Sequence, residues 1–172
     1  MEKYIPDMYQ KSVYTINYKK LKKKGIKCLL FDLDNTLVPY SEDVPSNDVK
    51  ELFHVLSLDF KVIIFSNSGK KRLTPFKEIL NVDVAYSCRK PFSKKYLKVM
   101  RLYDFKPSEI AAIGDQLMTD IKGANKVDVL SILVNPMGFK EPIWTKCNRV
   151  LEHFVYKKFL KKGLLKKGDY YE

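Results

Sequence analysis

Cysteine is scarce in this sequence. Three cysteines occur among 172 residues, at positions 28, 88 and 147, and no two of them form a Cys-x-x-Cys pair. An odd number of widely separated cysteines is not typical of a disulfide framework. We therefore expect reduced thiols and a cytoplasmic protein.

Long hydrophobic runs are also missing. The longest are short, such as Cys28 to Phe31 and Val62 to Phe65, whereas a membrane-spanning helix needs roughly 18 apolar residues. The first ten residues, MEKYIPDMYQ, contain no apolar stretch of the kind a secretory signal requires. Glycine and proline number only seven and eight, and 45% of the residues are hydrophobic, which excludes collagenous and low-complexity proteins. These absences predict a soluble globular protein.

The length predicts one domain, because about 150 residues per domain is usual. No internal repeat and no linker-like segment divides the chain. We expect a single domain over residues 1–172, with a basic N-terminal segment at 1–25 and a core at 26–135. A C-terminal helix at about 143–162 and a basic tail would follow.

Positive charge is concentrated at the two ends. The net charge is +12, and residues 1–30 and 146–172 together supply eleven of these charges. Basic ends that also contain tyrosine and phenylalanine would suit a polyanion or an anionic membrane surface. Only four of the 32 basic residues are arginine, which is more typical of a lysine-rich, solvated surface than of guanidinium-based phosphate recognition. Both interpretations remain open.

Short apolar runs alternate with amphipathic stretches in the middle of the chain. The runs predict strands that are buried on both faces, at residues 26–33, 60–66, 82–87, 110–114 and 127–134. The stretches between them predict helices at 46–56 with Ser46 as N-cap, at 74–80 beginning with Thr74 and Pro75, at 93–103 and at 117–125. This alternation predicts an α/β fold with a doubly wound, Rossmann-like, mostly parallel sheet and helices on both faces.

The first core strand ends in the sequence Asp32-Leu33-Asp34-Asn35-Thr36. Ligands of open α/β sheets bind at the carboxyl ends of the strands, so polar residues at this point are candidates for a site. Carboxylates at i and i+2 of an extended segment point the same way. Like charges this close are costly unless a cation lies between them or one takes up a proton. Oxygen ligands in a compact, open site suit Mg²⁺ better than a softer metal.

Polar residues follow three further strands. Ser66-Asn67-Ser68-Gly69 offers a hydroxyl, an amide and backbone N–H groups to an anion. Lys90, within Arg89-Lys90-Pro91, could neutralise charge that develops on a phosphoryl group. Asp115 follows Gly114, and Asp120 lies about one turn later, which adds candidate metal ligands. Each segment alone is also compatible with an ordinary turn, and the specific signal is their occurrence at four successive strand ends.

In this order, the segments FDLDNT, FSNS, RKP and IGDQLMTD resemble the four motifs of the haloacid dehalogenase (HAD) superfamily. The similarity covers residues 26–135. The flanking segments PDMY, KKLKKKGIK and VNPMG resemble more specifically the YqeG-type branch of subfamily IIIA. That branch is similar to phosphatidylglycerophosphate (PGP) phosphatases of fungi and plants. The resemblance implies a HAD-like fold and a Mg²⁺-dependent phosphatase.

The resemblance also implies the roles of the central residues. Asp32 would be the nucleophile and form an aspartyl-phosphate. Asp34 would protonate the leaving oxygen and later accept a proton from the hydrolytic water. Mg²⁺, held by Asp32, the main-chain carbonyl of Asp34 and Asp115, would screen the negative charge of the phosphate together with Lys90.

Four further residues would support this chemistry. Ser66 and Asn67 would hold the transferring oxygens, and Thr36 would brace the loop and take part in binding the phosphate. Asp120 would be a metal-site carboxylate, either as a direct ligand or by orienting a water molecule or Lys90. The second acid of the first motif, Asp34, favours phosphate-ester hydrolysis over dehalogenation.

The spacing of the motifs leaves no room for a cap domain. Residues 37–59 separate the first motif from the second strand, and residues 67–89 separate Ser66 from Lys90; each gap is 23 residues long. An uncapped site is open to large substrates. The branch resemblance implies PGP as the substrate, and the basic, aromatic ends agree with it. Two alternatives remain: a phosphatase of nucleic-acid ends or nucleotides, and a non-catalytic RNA- or ribosome-binding protein on the same fold.

The C-terminal helix bears on where the protein acts. Between residues 150 and 165, Phe154, Phe159 and several leucines alternate with lysines. Such a helix could lie on an anionic bilayer, which would make the protein peripheral to the inner face of a membrane. The same pattern would arise if the aromatic residues packed on the sheet and the lysines were solvated.

Overall fold

The computed structural model describes residues 2–138, 140 and 143–172. Strands in this part of the chain are β1 (Met8–Gln10), β2 (Cys28–Phe31), β3 (Lys61–Phe65), β4 (Asp83–Ala85), β5 (Ile110–Gly114) and β6 (Leu130–Val134). The α-helices are α1 (Tyr18–Lys23), α2 (Asn47–Leu56), α3 (Lys70–Leu80), α4 (Lys94–Tyr103), α5 (Lys122–Asn125) and α6 (Ile143–Lys161). The strands form one sheet in the order β1-β6-β5-β2-β3-β4, and every adjacent pair is parallel.

The sheet is covered on both faces, as the continuous apolar runs predict. Successive residues of a strand point to opposite faces, and in β2 this sends Leu29 and Phe31 into one core and Leu30 into another. The first core also contains Phe53 of α2, and the second contains Tyr96 of α4. The expected doubly wound α/β fold with a parallel sheet is confirmed.

Helix α6 packs at the β1 end of the sheet. Its Phe159 is fully buried in a third cluster together with Tyr9 of β1 and Leu133 of β6. Leu165, which follows the helix, is buried in the same cluster. Burial of these large side chains fixes α6 against the body of the protein.

Both ends of the chain pair with the sheet. The expected basic N-terminal segment contains strand β1, which pairs in parallel with β6. The tail also returns to the sheet, because Tyr171 bridges Tyr9 in antiparallel fashion with N–H···O distances of 2.9 Å in both directions. A three-residue strand of mixed composition, Met8-Tyr9-Gln10, carries too little periodicity to be recognised from sequence.

The predicted start of α3 is wrong. The helix begins at Lys70 after Gly69, and Pro75 lies inside it. A proline at this position removes one helical hydrogen bond, because it lacks the N–H that would donate to the carbonyl four residues earlier. Thr74 is likewise inside the helix, where its hydroxyl donates to the carbonyl of Lys70 at 2.9 Å. The helix predicted at 46–56 is confirmed, with the Ser46 hydroxyl capping the Val49 N–H at 3.3 Å.

The segment predicted as one helix over 117–125 consists of two helical parts of different type. Residues Leu117–Ile121 form a π-helical turn, and α5 continues from Lys122. Irregular turns of this kind are frequent at functional sites. Within the described ranges, no helix is both long enough and apolar enough to cross a bilayer.

Candidate active site

The carboxyl ends of β2, β3 and β5 and the loop after β4 meet at one edge of the sheet. Phe31 is level with Ile64 of β3 and with Ile113 of β5, so the residues that follow these strands are neighbours. The N–H of Asp32 extends this pairing by donating to the carbonyl of Ile113 at 2.9 Å. The parallel register therefore brings together the motifs that are separated in sequence.

Lys90 lies at the centre of the site. Its ammonium group donates to Asp32 Oδ1 at 2.7 Å and to Asp120 Oδ1 at 2.5 Å, and its side chain is only 3% exposed. Burial alone would lower the pKa of Lys90, but the negative charges of Asp120 and Asp32 outweigh this effect and raise it well above its usual value. Lys90 is therefore a fixed positive charge beside the predicted nucleophile.

Asn67 holds the loop that carries Lys90. The N–H of Lys90 donates to Asn67 Oδ1 at 2.6 Å, and Asn67 Nδ2 donates to the Lys90 carbonyl at 3.3 Å. The Cys88 N–H donates to the Ser66 carbonyl at 3.0 Å and ties the same loop to the end of β3. Asn67 and Ser66 also line the pocket described below. The amide of Asn67 thus orients the lysine, which the sequence alone did not suggest.

Three buried carboxylates converge next to Lys90. Oxygen atoms of Asp32, Asp115 and Asp120 lie within 4.8 Å of one another. Burial, with the nearby negative charges, raises the pKa of Asp115 to about 8 although Arg149 opposes the shift. Burial raises the pKa of Asp120 to about 6 against the opposing charge of Lys90. A compact set of carboxylate oxygens fits a hard divalent cation such as Mg²⁺.

Gly114 makes the approach of Asp120 possible. A Cβ atom at this position would lie 2.2 Å from Cγ of Asp120, closer than any side chain tolerates. Asp120 Oδ2 also accepts from the Gln116 N–H at 3.1 Å, which fixes the carboxylate at the start of the π-helical turn. The glycine is therefore required by close packing and not by its backbone angles.

Asp115 is held from two sides. Thr36 donates to Asp115 Oδ1 at 3.2 Å, and Arg149 of α6 forms an ion pair with Asp115 Oδ2 and donates to the Asp115 carbonyl at 2.9 Å. Arg149 also pairs with Glu152 at 3.0 Å. Thr36 is buried and is not among the pocket-lining residues, so its position fits the bracing role better than direct contact with a phosphate.

The carboxylate of Asp34 lies outside the cluster of three. Its Oδ2 accepts from the hydroxyl of Ser68 at 2.6 Å, and its Oδ1 accepts from Nε and Nη2 of Arg72 at 3.0 and 2.8 Å. The side chain is therefore available at the pocket rather than at the cation site. Its expected contribution to the metal through the main-chain carbonyl stays a prediction.

A polar cavity of about 320 Å³ opens above these groups. Asp32, Asp34, Ser66 and Lys90 line it, together with Thr145 and Asn148 of α6 and Arg72 of α3. The contribution of α6 and α3 could not be predicted from the sequence, because it depends on where these helices pack and not on a local pattern. In the described residues, only single helices and short strands connect the motif-bearing strands, so no cap domain is inserted between them.

The chain is similar in sequence to known phosphatases. The sequence model of the family described as mitochondrial PGP phosphatase matches residues 1–137. The chain is 32% identical over 161 residues to the probable phosphatase YqeG of Bacillus subtilis, covering 93% of this chain and 94% of that protein. It is 29% identical over 177 residues to PGP phosphatase 1 of Arabidopsis thaliana, covering 93% of this chain and 49% of that protein.

The fold also matches a solved structure. A putative HAD superfamily subfamily IIIA hydrolase from Legionella pneumophila superposes with a TM-score of 0.53 at 20% identity, over 70% of this chain and 72% of that one. At this identity the match shows the fold alone, and it confirms the HAD-like architecture. The family match over residues 1–137 and the YqeG relative identify this chain as a phosphatase that belongs to the PGP phosphatase family.

Proposed function

We propose that this phosphatase is a Mg²⁺-dependent phosphomonoester hydrolase that works through an aspartyl-phosphate on Asp32. The observation that carries the proposal is the position of Asp32, which lies in the polar pocket between the fixed ammonium of Lys90 and the carboxylates of Asp115 and Asp120. A carboxylate attacks a phosphate dianion only where the negative charge is offset. Lys90 supplies one positive charge at the site, and the three carboxylates are ligands for Mg²⁺ as a second.

The reaction proceeds in two steps on this chain's residues. An oxygen of Asp32 attacks phosphorus, and the bond to the leaving oxygen breaks as that oxygen takes a proton from Asp34. Water then attacks the phosphorus of the aspartyl-phosphate and gives a proton to Asp34, which releases inorganic phosphate and restores Asp32. Mg²⁺ bound by Asp32, Asp115, Asp120 and the main-chain carbonyl of Asp34 would screen the phosphate charge.

The proposed substrate is PGP, a phosphomonoester at the end of a lipid headgroup. The family description and the name of the Arabidopsis relative support this substrate. The pocket is consistent with it, because no cap domain separates the motif-bearing strands in the described residues. An uncapped pocket admits a headgroup whose acyl chains stay outside the protein.

Helix α6 offers a surface for the lipid that bears this headgroup. Three apolar side chains on its outer side are 50 to 59% exposed, namely Val150, Leu151 and Phe154. Lysines follow on the same helix at positions 157, 158 and 161, and the one acidic residue of the helix, Glu152, is buried. Exposed apolar groups next to basic ones favour binding to an anionic bilayer. We propose that this face contacts the membrane that holds the substrate.

The membrane contact is tested by flotation with vesicles. The wild-type protein should float with vesicles that contain phosphatidylglycerol and not with neutral phosphatidylcholine vesicles, and Phe154→Ser should weaken flotation severalfold. Equal behaviour with both vesicle types would refute the membrane contact without affecting the chemistry at Asp32.

The substrate is tested by measuring phosphate release from a panel. PGP in mixed micelles, a nucleotide, a 5′-phosphorylated oligonucleotide and an aryl phosphate are compared with Mg²⁺ present. We expect the highest kcat/KM with PGP and no release from any compound by Asp32→Asn. Preference for the oligonucleotide or the nucleotide would replace the lipid substrate. No release from any compound would indicate a non-catalytic protein.

A further inference from the structure

Arg72 lines the pocket. It lies in the first turn of α3, directly after the Ser66–Gly69 loop, and its side chain is 16% exposed. Among the described residues that line the pocket, the cationic side chains are Arg72 and Lys90. Lys90 is buried and donates to Asp32 and Asp120, beside the reacting phosphate. Arg72 is therefore the cation that a substrate group outside the reacting phosphate would meet.

The two carboxylate partners of Arg72 differ in exposure. Nη2 and Nε donate to Asp34, whose side chain is 17% exposed, whereas Nη1 donates at 3.0 Å to Asp43, whose side chain is 94% exposed. Ion pairs with a fully solvated partner contribute little free energy. The Nη1 edge of Arg72 is thus held only weakly, while the other edge is fixed at the site.

Aromatic rings hold the guanidinium plane in place. Its carbon lies 5.3 Å from the ring centroid of Phe76 and 5.8 Å from that of Tyr40. A guanidinium that is fixed in this way is prepared to bind a phosphate oxygen, because little side-chain entropy remains to be lost. An incoming anion could replace Asp43 at Nη1 while the contacts with Asp34 persist.

We propose that Arg72 binds a second anionic group of the substrate, a phosphodiester a few atoms from the phosphomonoester that reacts at Asp32. This inference rests on the proposed function, and it makes Arg72 a specificity-determining residue for headgroups with two phosphates. Asp43 occupies the same edge of the guanidinium in the free protein. Loss of Asp43 should therefore strengthen binding of such a headgroup, whereas loss of Arg72 should weaken it.

The test compares two ligands that differ in one charge. The first is the deacylated headgroup, glycerophosphoglycerol phosphate, and the second is the same compound with its phosphodiester methylated to a neutral triester. Dissociation constants are measured by calorimetry with Mg²⁺ in an Asp32→Asn background, where turnover cannot interfere. We expect the headgroup to bind about 10- to 100-fold more tightly than the triester, the range for hydrogen bonds to a charged partner.

Three variants in this background decide the matter. The preference is the ratio of the two dissociation constants, triester over headgroup. Arg72→Gln should reduce it to less than about threefold, and Asp43→Asn should increase it by about two- to fivefold. Lys71→Gln removes the same charge from the neighbouring, exposed residue of α3 and should leave the preference unchanged. If Arg72 only positions Asp34, Arg72→Gln affects both ligands equally and the preference persists, which would overturn the inference.

Failure of the proposed function gives a different result. If wild-type protein releases no phosphate from PGP, the lipid substrate is wrong, while a preference that depends on Arg72 would still stand. If the headgroup binds no more tightly than the triester, or does not bind at all, the role of Arg72 is refuted even where PGP is hydrolysed.

Discussion

At the scale of single residues, the site pairs a buried positive charge with buried carboxylates. Lys90 is the one cation that contacts both Asp32 and Asp120 among the hydrogen bonds of the described residues. Removing one partner of a buried ion pair is far more costly than removing an exposed pair, because the remaining charge is left without water or counterion. This pairing makes Lys90, the predicted catalytic lysine, a structural residue as well.

Lys90→Met is expected to impair both stability and activity. Without divalent cations, the free energy of unfolding should fall by about 3–5 kcal/mol, because two carboxylates lose their buried partner. Phosphatase activity should fall by about 10²–10³-fold, the usual effect of removing one electrostatic contact to a transition state. Urea unfolding and steady-state kinetics measure these changes. Lys98→Met, on the exposed side of α4, is the control, and an equal loss of stability in both variants would contradict the account.

Gly114→Ala tests the close approach of Asp120. The added methyl group would collide with Asp120 at 2.2 Å, so this carboxylate must move. We expect about a 10- to 100-fold loss of Mg²⁺ affinity by calorimetry and about 1–3 kcal/mol of destabilisation.

Gly69→Ala is the matched control for stability, because nothing lies within 4 Å of a Cβ at Gly69. It should cost less than about 1 kcal/mol. Unchanged Mg²⁺ affinity in Gly114→Ala would exclude Asp120 from the cation site.

At the scale of elements, the predictable part of the site is the part that follows strands. The sequence predicts a site at Asp32, Ser66, Lys90 and Asp115, because buried parallel strands end together at one edge and polar residues follow them. Arg72, in contrast, reaches Asp34 only because of how α3 packs beside the loop after β2. Tertiary packing of a helix is not encoded in a local sequence pattern, so this residue required the structure.

Helix α6 shows the same limit. Arg149 and Asn148 lie outside the core predicted at 26–135, yet they reach Asp115 and the pocket. The alternation of aromatic residues and lysines left two orientations of the helix open. In the structure, the two aromatic residues differ in exposure: Phe159 is fully buried and Phe154 is 58% exposed.

This difference in burial predicts that truncating the two side chains will have very different effects on the free energy of unfolding. Phe159→Ala should lower the free energy of unfolding by about 3–5 kcal/mol, because it leaves a cavity in the cluster around Tyr9. Phe154→Ala should change it by less than about 0.5 kcal/mol. Urea unfolding without lipid compares the two variants. Similar costs at both positions would mean that α6 does not pack as described.

At the scale of the whole molecule, the two basic ends meet beside β1, where Tyr171 pairs with Tyr9 and Lys20 pairs with Glu172 at 2.8 Å. The lysines of α1 precede β2 and lie near its amino end, where Lys22 pairs with Asp59. The pocket lies at the opposite edge, and α6 contributes Thr145 and Asn148 to it. The net charge of each end, counted along the sequence, could not show how far the lysines of α1 lie from the pocket, because that distance depends on the direction of the strands.

The central claim for the whole protein is that Asp32 becomes covalently phosphorylated. It is tested most directly by acid quenching during turnover of ³²P-labelled PGP or aryl phosphate, followed by borohydride reduction and peptide mass analysis. The account predicts protein-bound label on Asp32 that depends on Mg²⁺ and is absent in Asp32→Asn. Phosphate release without bound label, or label on another residue, would contradict it.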